Sequence, residues 1–198
     1  MKNLVLQSAT EQLKLLHERK LSVAELAEAH IQQIERLNPA LNALVDFNAD
    51  RVRAQAQQLD GTKGPRGPLH GLPVTVKSSI AVAGYRCEIG SLINAGNIPR
   101  EDAEVVRRLR SAGALILGTT NCPEFLMAYE TANLLHGHTS NPWDLNRSPG
   151  GSRDRRRPAI VWSISNPAGS ATLARRVSHC PSPTAAEGSP APLIRWAC

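Results

Sequence analysis

The chain has 198 residues, of which 41% are hydrophobic and only 4% aromatic, and it carries a formal net charge of +6. That length suits one domain or slightly more, with a mostly aliphatic core. No apolar run is long enough to span a membrane, and the amphipathic, charge-interrupted start at residues 1–20 excludes a secretory signal, so the expected location is the cytoplasm. The charge is unevenly spread. Residues 153–198 hold seven Arg and no Lys against Asp154 and Glu187, a net +5, which leaves +1 for residues 1–152. Basic character is therefore a property of the tail, which argues against nucleic acid as a partner of the main body. Cys87, Cys122, Cys180 and Cys198 form no C-x-x-C pair and read as free thiols.

In chain order, residues 4–17 carry Leu6, Ala9, Leu13 and Leu16 at helical spacing. Ser22 and Glu25 make a capping box for a second helix, whose apolar face runs through Val23, Leu26, Ala27, Ile31, Ile34 and Leu37. His30 lies on that face and reads as a packed residue rather than a ligand. Asn38-Pro39 is expected to end this helix. A short strand is expected over 41–47 and a third helix over 50–59. These elements make up an N-terminal helical region, 1–60.

Residues 61–71 form a Gly- and Pro-rich loop. It leads into L-P-V-T-V-K-S-S, residues 72–79, where β-branched Val74, Thr75 and Val76 favour a strand that ends in Lys77. A lysine there either snorkels into solvent from a sheet edge or does chemistry. Residues 84–99 look irregular. A helix is expected over 102–112, with Val105, Val106 and Leu109 apolar and Arg107, Arg108 and Arg110 outward, closed by Gly113. The apolar run 114–117 then ends in Gly118-Thr119-Thr120-Asn121. Helix, glycine, short strand and polar residues together make the pattern of an α/β unit, and polar residues beyond strand ends are where such sheets place their sites. Residues 124–129 read as a short helix and 134–147 as a loop. His136 and His138 lie two apart without an adjacent carboxylate or cysteine, a poor metal pair.

S-P-G-G-S at 148–152 is a glycine-rich turn in which Gly150 and Gly151 allow a tight backbone close to a ligand and leave Ser152 exposed. No strong helix or lysine follows to make it a phosphate loop. After it the texture changes to R-D-R-R-R-P-A and then to a Pro-, Ser- and Ala-rich stretch. A strand is expected near 160–164 and disordered or irregular chain beyond Ser165.

Three blocks carry a resemblance. They are G-P-L-H-G-L-P-V-T-V-K-S-S at 67–79, D-A-E-V-V-R-R-L-R-S-A-G-A-L-I-L-G-T-T-N-C-P-E-F at 102–125, and N-P-W-D-L-N-R-S-P-G-G-S at 141–152. In order and spacing they resemble the amidase signature family, over residues 1–152. The resemblance implies an α/β/α fold around a mixed sheet, of which 61–152 is a partial core. It also implies hydrolysis of a small-molecule carboxylic amide, with no cofactor or metal. The family uses a lysine, a serine in a cis peptide and a nucleophilic serine. Lys77 matches the lysine and Ser152 the cis serine, the first serine of the family's G-G-S-S-G-G motif, supported by Gly150 and Gly151. The chemistry is coherent, because a hydroxyl attacks only once a base takes its proton, and burial lowers a lysine's pKa until it can be that base.

The match stops there. Arg153-Asp154-Arg155 stand where the family has S-G-G, and no D-x-G-G-S-type turn follows to supply the nucleophile and its oxyanion-hole amides. Ser163, Ser165, Ser170 and Ser178 lack that context, so no nucleophile is assigned. A reading-frame shift after Ser152 would explain both the lost match and the basic tail, 153–198. The chain is therefore expected to be a truncated, inactive amidase that leaves sheet edges and apolar surface uncovered. The alternative within the family is the glutamine-hydrolysing component of a tRNA-dependent amidotransferase, working with partner subunits. Outside it stands a non-enzymatic fragment with a basic binding tail.

Overall fold

The computed structural model describes residues 4–63 and 66–150, and the backbone of residues 162–164. A short 3-10 turn, Leu4–Leu6, precedes α1 (Ala9–His17), which opens with a capping box: Ser8 accepts from the Glu11 N–H, and the Glu11 carboxylate accepts from the Ser8 N–H at 2.8 Å. The continuous helix expected over 4–17 is thus broken at Ser8. The S-x-x-E spacing that marks the second helix was present here as well. α2 (Val23–Leu41) starts at the expected Ser22–Glu25 box, and its first N–H groups, at Val23 and Ala24, also donate to the Asp60 carboxylate at 2.9 Å.

Contrary to the sequence expectation, α2 does not stop before Pro39 but runs through it to Leu41. Asn38 makes this possible. Its side-chain oxygen accepts from the N–H groups of Ala43 and Leu44 at 2.9 and 2.8 Å, and Asn42 closes the helix in the left-handed region (φ 51°). The strand that follows is accordingly shorter, β1 (Leu44–Phe47), and α3 (Ala49–Asp60) is capped by Asn48. β2 (Pro73–Lys77) is buried along its whole length. A 3-10 turn at Leu92–Asn94 interrupts the irregular segment ahead of α4 (Glu104–Ser111).

β3 (Leu115–Thr120) is longer than the apolar run suggested, because Gly118, Thr119 and Thr120 continue the strand. The short helix expected at 124–129 is a single 3-10 turn, Glu124–Leu126. The stretch read as loop contains a small hairpin, β4 (Ala132–Asn133) with β5 (Gly137–His138). β6 (Trp162–Ile164) falls within the stretch expected to be a strand. Residues 165–198, expected to be irregular, lie outside the described residues.

The main sheet has the order β1-β3-β2-β6. It is mixed: β2 pairs parallel with both β3 and β6, and β1 pairs antiparallel with β3. Alternation along β3 sends Leu115 and Leu117 to one face and Ile116 to the other. The first face packs on α2 and α3 through Leu26, Ile31, Ile34, Val52 and Ala56. The second packs on α4 through Val106 and Leu109, together with Val74, Val76 and Tyr85. Helices thus cover both faces, an α/β/α arrangement.

Tyr85 ties the layers together. Its hydroxyl donates to the Ile116 carbonyl and accepts from Gln55 of α3, each at 3.0 Å, and the Arg51 guanidinium sits 3.5 Å from its ring centroid. Tyr85→Phe keeps the ring and removes both hydrogen bonds. The expected loss is about 1–2 kcal/mol in chemical denaturation, and an unchanged midpoint would show that the hydroxyl adds nothing. Among the described residues Ile93 (83%), Met127 (86%) and Leu134 (83%) are exposed apolar side chains. Among the described residues no helix is long and apolar enough to cross a membrane.

Candidate active site

Lys77 ends β2, the strand that lies between β3 and β6, and its side chain is fully buried. Its place in the sheet is fixed by pairing with Thr120 and by the next N–H, that of Ser78, which donates to the Thr120 carbonyl at 3.0 Å. Alternation puts Val74 and Val76 on the α4 face and Lys77, with Thr75, on the other. Burial holds the Lys77 ammonium below its ordinary pKa, and a Cys122 thiolate would act in the opposite sense. The snorkelling alternative is thereby removed, since a lysine serving only solubility keeps its charge in water.

Around the ends of β2 and β3 the side chains are polar and buried. Ser78 Oγ lies 3.2 Å from Cys122 Sγ. Thr119, Thr120 and Thr131 each bury a hydroxyl oxygen that has no hydrogen-bond partner among the described residues. Burial pushes the Cys122 thiol up, against the smaller opposing effects of the Ser78 hydrogen bond and the Lys77 charge. Cys87 and Cys122 are both free thiols, as expected; Cys180 and Cys198 lie outside the described residues.

A hydrogen-bonded frame supports this end of the sheet. Asn121 donates to Thr139 Oγ1 at 3.0 Å, and its side-chain oxygen accepts from the Cys122 N–H and from Asn133 Nδ2. Asn133 also donates to the Cys122 carbonyl at 2.8 Å. The β4–β5 hairpin is thus fastened to the residues that follow β3. Asn42, in its left-handed conformation, donates to the His136 and His138 carbonyls at 2.6 and 3.1 Å. Only the polar run Thr119-Thr120-Asn121 hinted at this frame. Its other members come from loops far apart in sequence and could not be found by spacing.

His136 has a carboxylate neighbour after all, although none is adjacent in sequence. Its Nε2 lies 2.7 Å from Glu88, a buried residue whose other oxygen accepts from the Gly96 N–H. Among the described residues no group of three or more His, Cys, Asp or Glu side chains could hold a metal ion. His30 is buried in α2 among the core residues, where the sequence placed it.

Of the sequence-predicted site residues, Lys77 and Gly150 are described. Gly150 has φ +79°, a left-handed backbone that suits glycine, and its N–H donates to Ser148 Oγ at 3.2 Å. Gly151 and Ser152, and with Ser152 the expected cis peptide, lie outside the described residues.

The family model described as Amidase matches residues 25–153. The acylamidase of Rhodococcus erythropolis is 44% identical over 162 residues, covering 80% of this chain and 34% of that one. A glutamyl-tRNA(Gln) amidotransferase subunit from Acidothermus cellulolyticus is 39% identical over 164 residues, covering 81% of this chain and 32% of its own. Among solved structures, fatty acid amide hydrolase superposes with a TM-score of 0.71 at 28% identity, over 75% of this chain and 27% of that one. The chain thus spans about a third of the length of the relatives it matches. Lys77 and Gly150 both fall inside the matched stretch, and by that match the chain belongs to the amidase family.

Proposed function

We propose that these residues carry the proton-handling half of an amidase that hydrolyses a small carboxylic amide to a carboxylate and ammonia or an amine. The observation that carries this reading is the complete burial of Lys77 at the end of a strand between two neighbours, with its pKa pushed down by that burial. A lysine so placed gives up its proton more readily than a solvated one, which suits it to act as a base. In the reading proposed here, Lys77 takes the proton of Ser152, and Ser152 takes that of an attacking serine hydroxyl. The hydroxyl then adds to the amide carbonyl. The departing nitrogen receives the proton back, and water releases the acyl group as carboxylate. Gly150, with its left-handed backbone, suits a tight turn ahead of Ser152.

No serine of this chain has the sequence context of the attacking group, and the family match ends at residue 153. The proposed sequence divisions are therefore a helical region at 1–60, a partial signature core at 61–152 and a tail at 153–198 outside the family pattern, explained by a frame shift. Reading the coding DNA downstream of Ser152 in all three frames tests that explanation: it expects amidase-like sequence in another frame, and its absence there would remove it. For these 198 residues alone we expect no hydrolysis of amides above the uncatalysed rate. Turnover that disappears in Lys77→Ala would show instead that the chain holds a complete site.

The 39% identity to the amidotransferase relative supports a second reading, a glutamine-hydrolysing component that works with partner chains. Co-purification of partner subunits with the tagged chain would favour it. The 44% identity to an acylamidase favours the first.

A further inference from the structure

We infer that Cys122 is a positioning residue for Lys77 and acts through the hydroxyl of Ser78. The inference rests on the proposed role of Lys77 as the base. Ser78 directly follows Lys77 and is held on three sides. Its N–H donates to the Thr120 carbonyl at 3.0 Å, its carbonyl accepts from the Ile89 N–H at 3.3 Å, and its hydroxyl meets Cys122 Sγ at 3.2 Å. Ser78 is 1% exposed and Cys122 is fully buried, so neither has water to replace the other. Cys122 is itself clamped, its N–H donating to Asn121 and its carbonyl accepting from Asn133. The thiol therefore joins Ser78, the residue that follows β2, to the frame that carries the β4–β5 hairpin.

Removing the sulfur orphans the buried Ser78 hydroxyl and opens a small polar space beside it, one residue along the chain from Lys77. A polar gap of that kind admits water, whereas an apolar one stays dry. Water admitted there lessens the desolvation that holds the Lys77 pKa down. Cys122 is the titratable side chain whose charge acts on Lys77 among the described residues, and Cys87 in turn feels the charges of Cys122 and Glu88. Burial keeps the Cys122 thiol protonated through the neutral range, so its influence there is that of a hydrogen-bond partner and not of a charge.

The test reads the protonation of Lys77 directly. The full chain contains only Lys2, Lys14, Lys20, Lys63 and Lys77, so 13Cε-labelled lysine gives five resonances, and Lys77→Met identifies one by its loss. In the wild type, Lys77 should titrate below the other four. Cys122→Ala should move its midpoint upward, towards theirs. Cys122→Ser, which keeps a hydroxyl within reach of Ser78, should hold it near the wild-type value. Ser78→Ala should shift it upward as Cys122→Ala does, and the double variant should shift no further than either single one. An unmoved midpoint in Cys122→Ala would overturn the inference, and so would single shifts that add in the double variant. If Cys122→Ala fails to fold, Cys122→Ser and Ser78→Ala decide the matter: a wild-type midpoint in Ser78→Ala refutes the link. No turnover is needed, so a failed amidase reading would leave this result standing.

Discussion

Gly118→Ala is expected to destabilise the chain by about 3 kcal/mol. Gly118 sits in β3 opposite Phe47 of β1. A Cβ there would come within 2.3 Å of the Asp46 carbonyl oxygen and 3.2 Å of Leu44 Cδ2. The first of these is backbone in a paired strand, which cannot swing aside as a side chain could. β1 would have to separate from β3, and with it the Asp46 carboxylate that accepts from Arg51 at 2.8 Å and from the Arg86 N–H at 2.7 Å. Gly96→Ala is the matching control. A Cβ there meets nothing within 4 Å, and only the positive φ (+77°) opposes it, at a cost of about 1–2 kcal/mol. Urea denaturation of the two variants measures the contrast, and equal midpoints would show that the close approach of β1 and β3 is not maintained in solution.

Lys77→Met should make the protein more stable at neutral pH by about 1–3 kcal/mol, because it removes an ionisable group from a fully buried position and fills the same space with an apolar chain. The gain should depend on pH with a definite sign. Burial lowers the folded-state pKa of Lys77 below the ordinary 10.5. Below the folded-state pKa both states hold the proton, and the whole desolvation cost is present. As pH rises through that value the folded state releases its proton while the unfolded state keeps it, so the wild type gains stability relative to the variant. The gap between the two should therefore narrow as pH rises, up to the range in which an unfolded lysine titrates. Burial also raises the pKa of the Cys87 and Cys122 thiols, which weakens both proteins above the ordinary thiol value of 9.0. The comparison belongs below that pH. A variant less stable than wild type, or a gap that does not change with pH, would mean that Lys77 is held as a structural cation.

Much of this architecture was legible because local signals and global packing agree. Ser22 and Glu25 announced the start of α2, β-branched Val74 to Val76 announced β2, and Lys77 at its end stood out against a strand buried throughout. The expectations failed where a distant partner decided the outcome. Pro39 reads as a helix stop, yet the Asn38 side chain satisfies the backbone that follows and lets the helix finish two residues later. Gly118-Thr119-Thr120 reads as a polar loop, yet β1 and β2 flank it and make it strand. Ser8 and Glu11 carried the same capping signal as Ser22 and Glu25, masked by an apolar stripe that crosses the break.

The site divides in the same way. Lys77 stood out at the end of one strand, and its proposed role came from the family resemblance and not from that strand. Ser78, Cys122, Asn121, Asn133 and Thr139 come together only because β2, β3 and the β4–β5 hairpin end at one place, and no spacing rule joins residues that far apart. Glu88 and His136 illustrate the point, being 48 positions apart and 2.7 Å from each other.

The most direct test of Lys77 as the base of an amide-cleaving site is a chimera. Residues 1–152 of this chain would replace the matching part of the Rhodococcus erythropolis acylamidase, its 44%-identical relative. The chimera would be assayed on that enzyme's own substrate, with the parent enzyme as control. The expected result is a folded protein that turns the substrate over and loses roughly 10²–10⁴-fold in rate on Lys77→Ala. A folded chimera whose rate is unchanged by that substitution, or one with no activity at all, would contradict it.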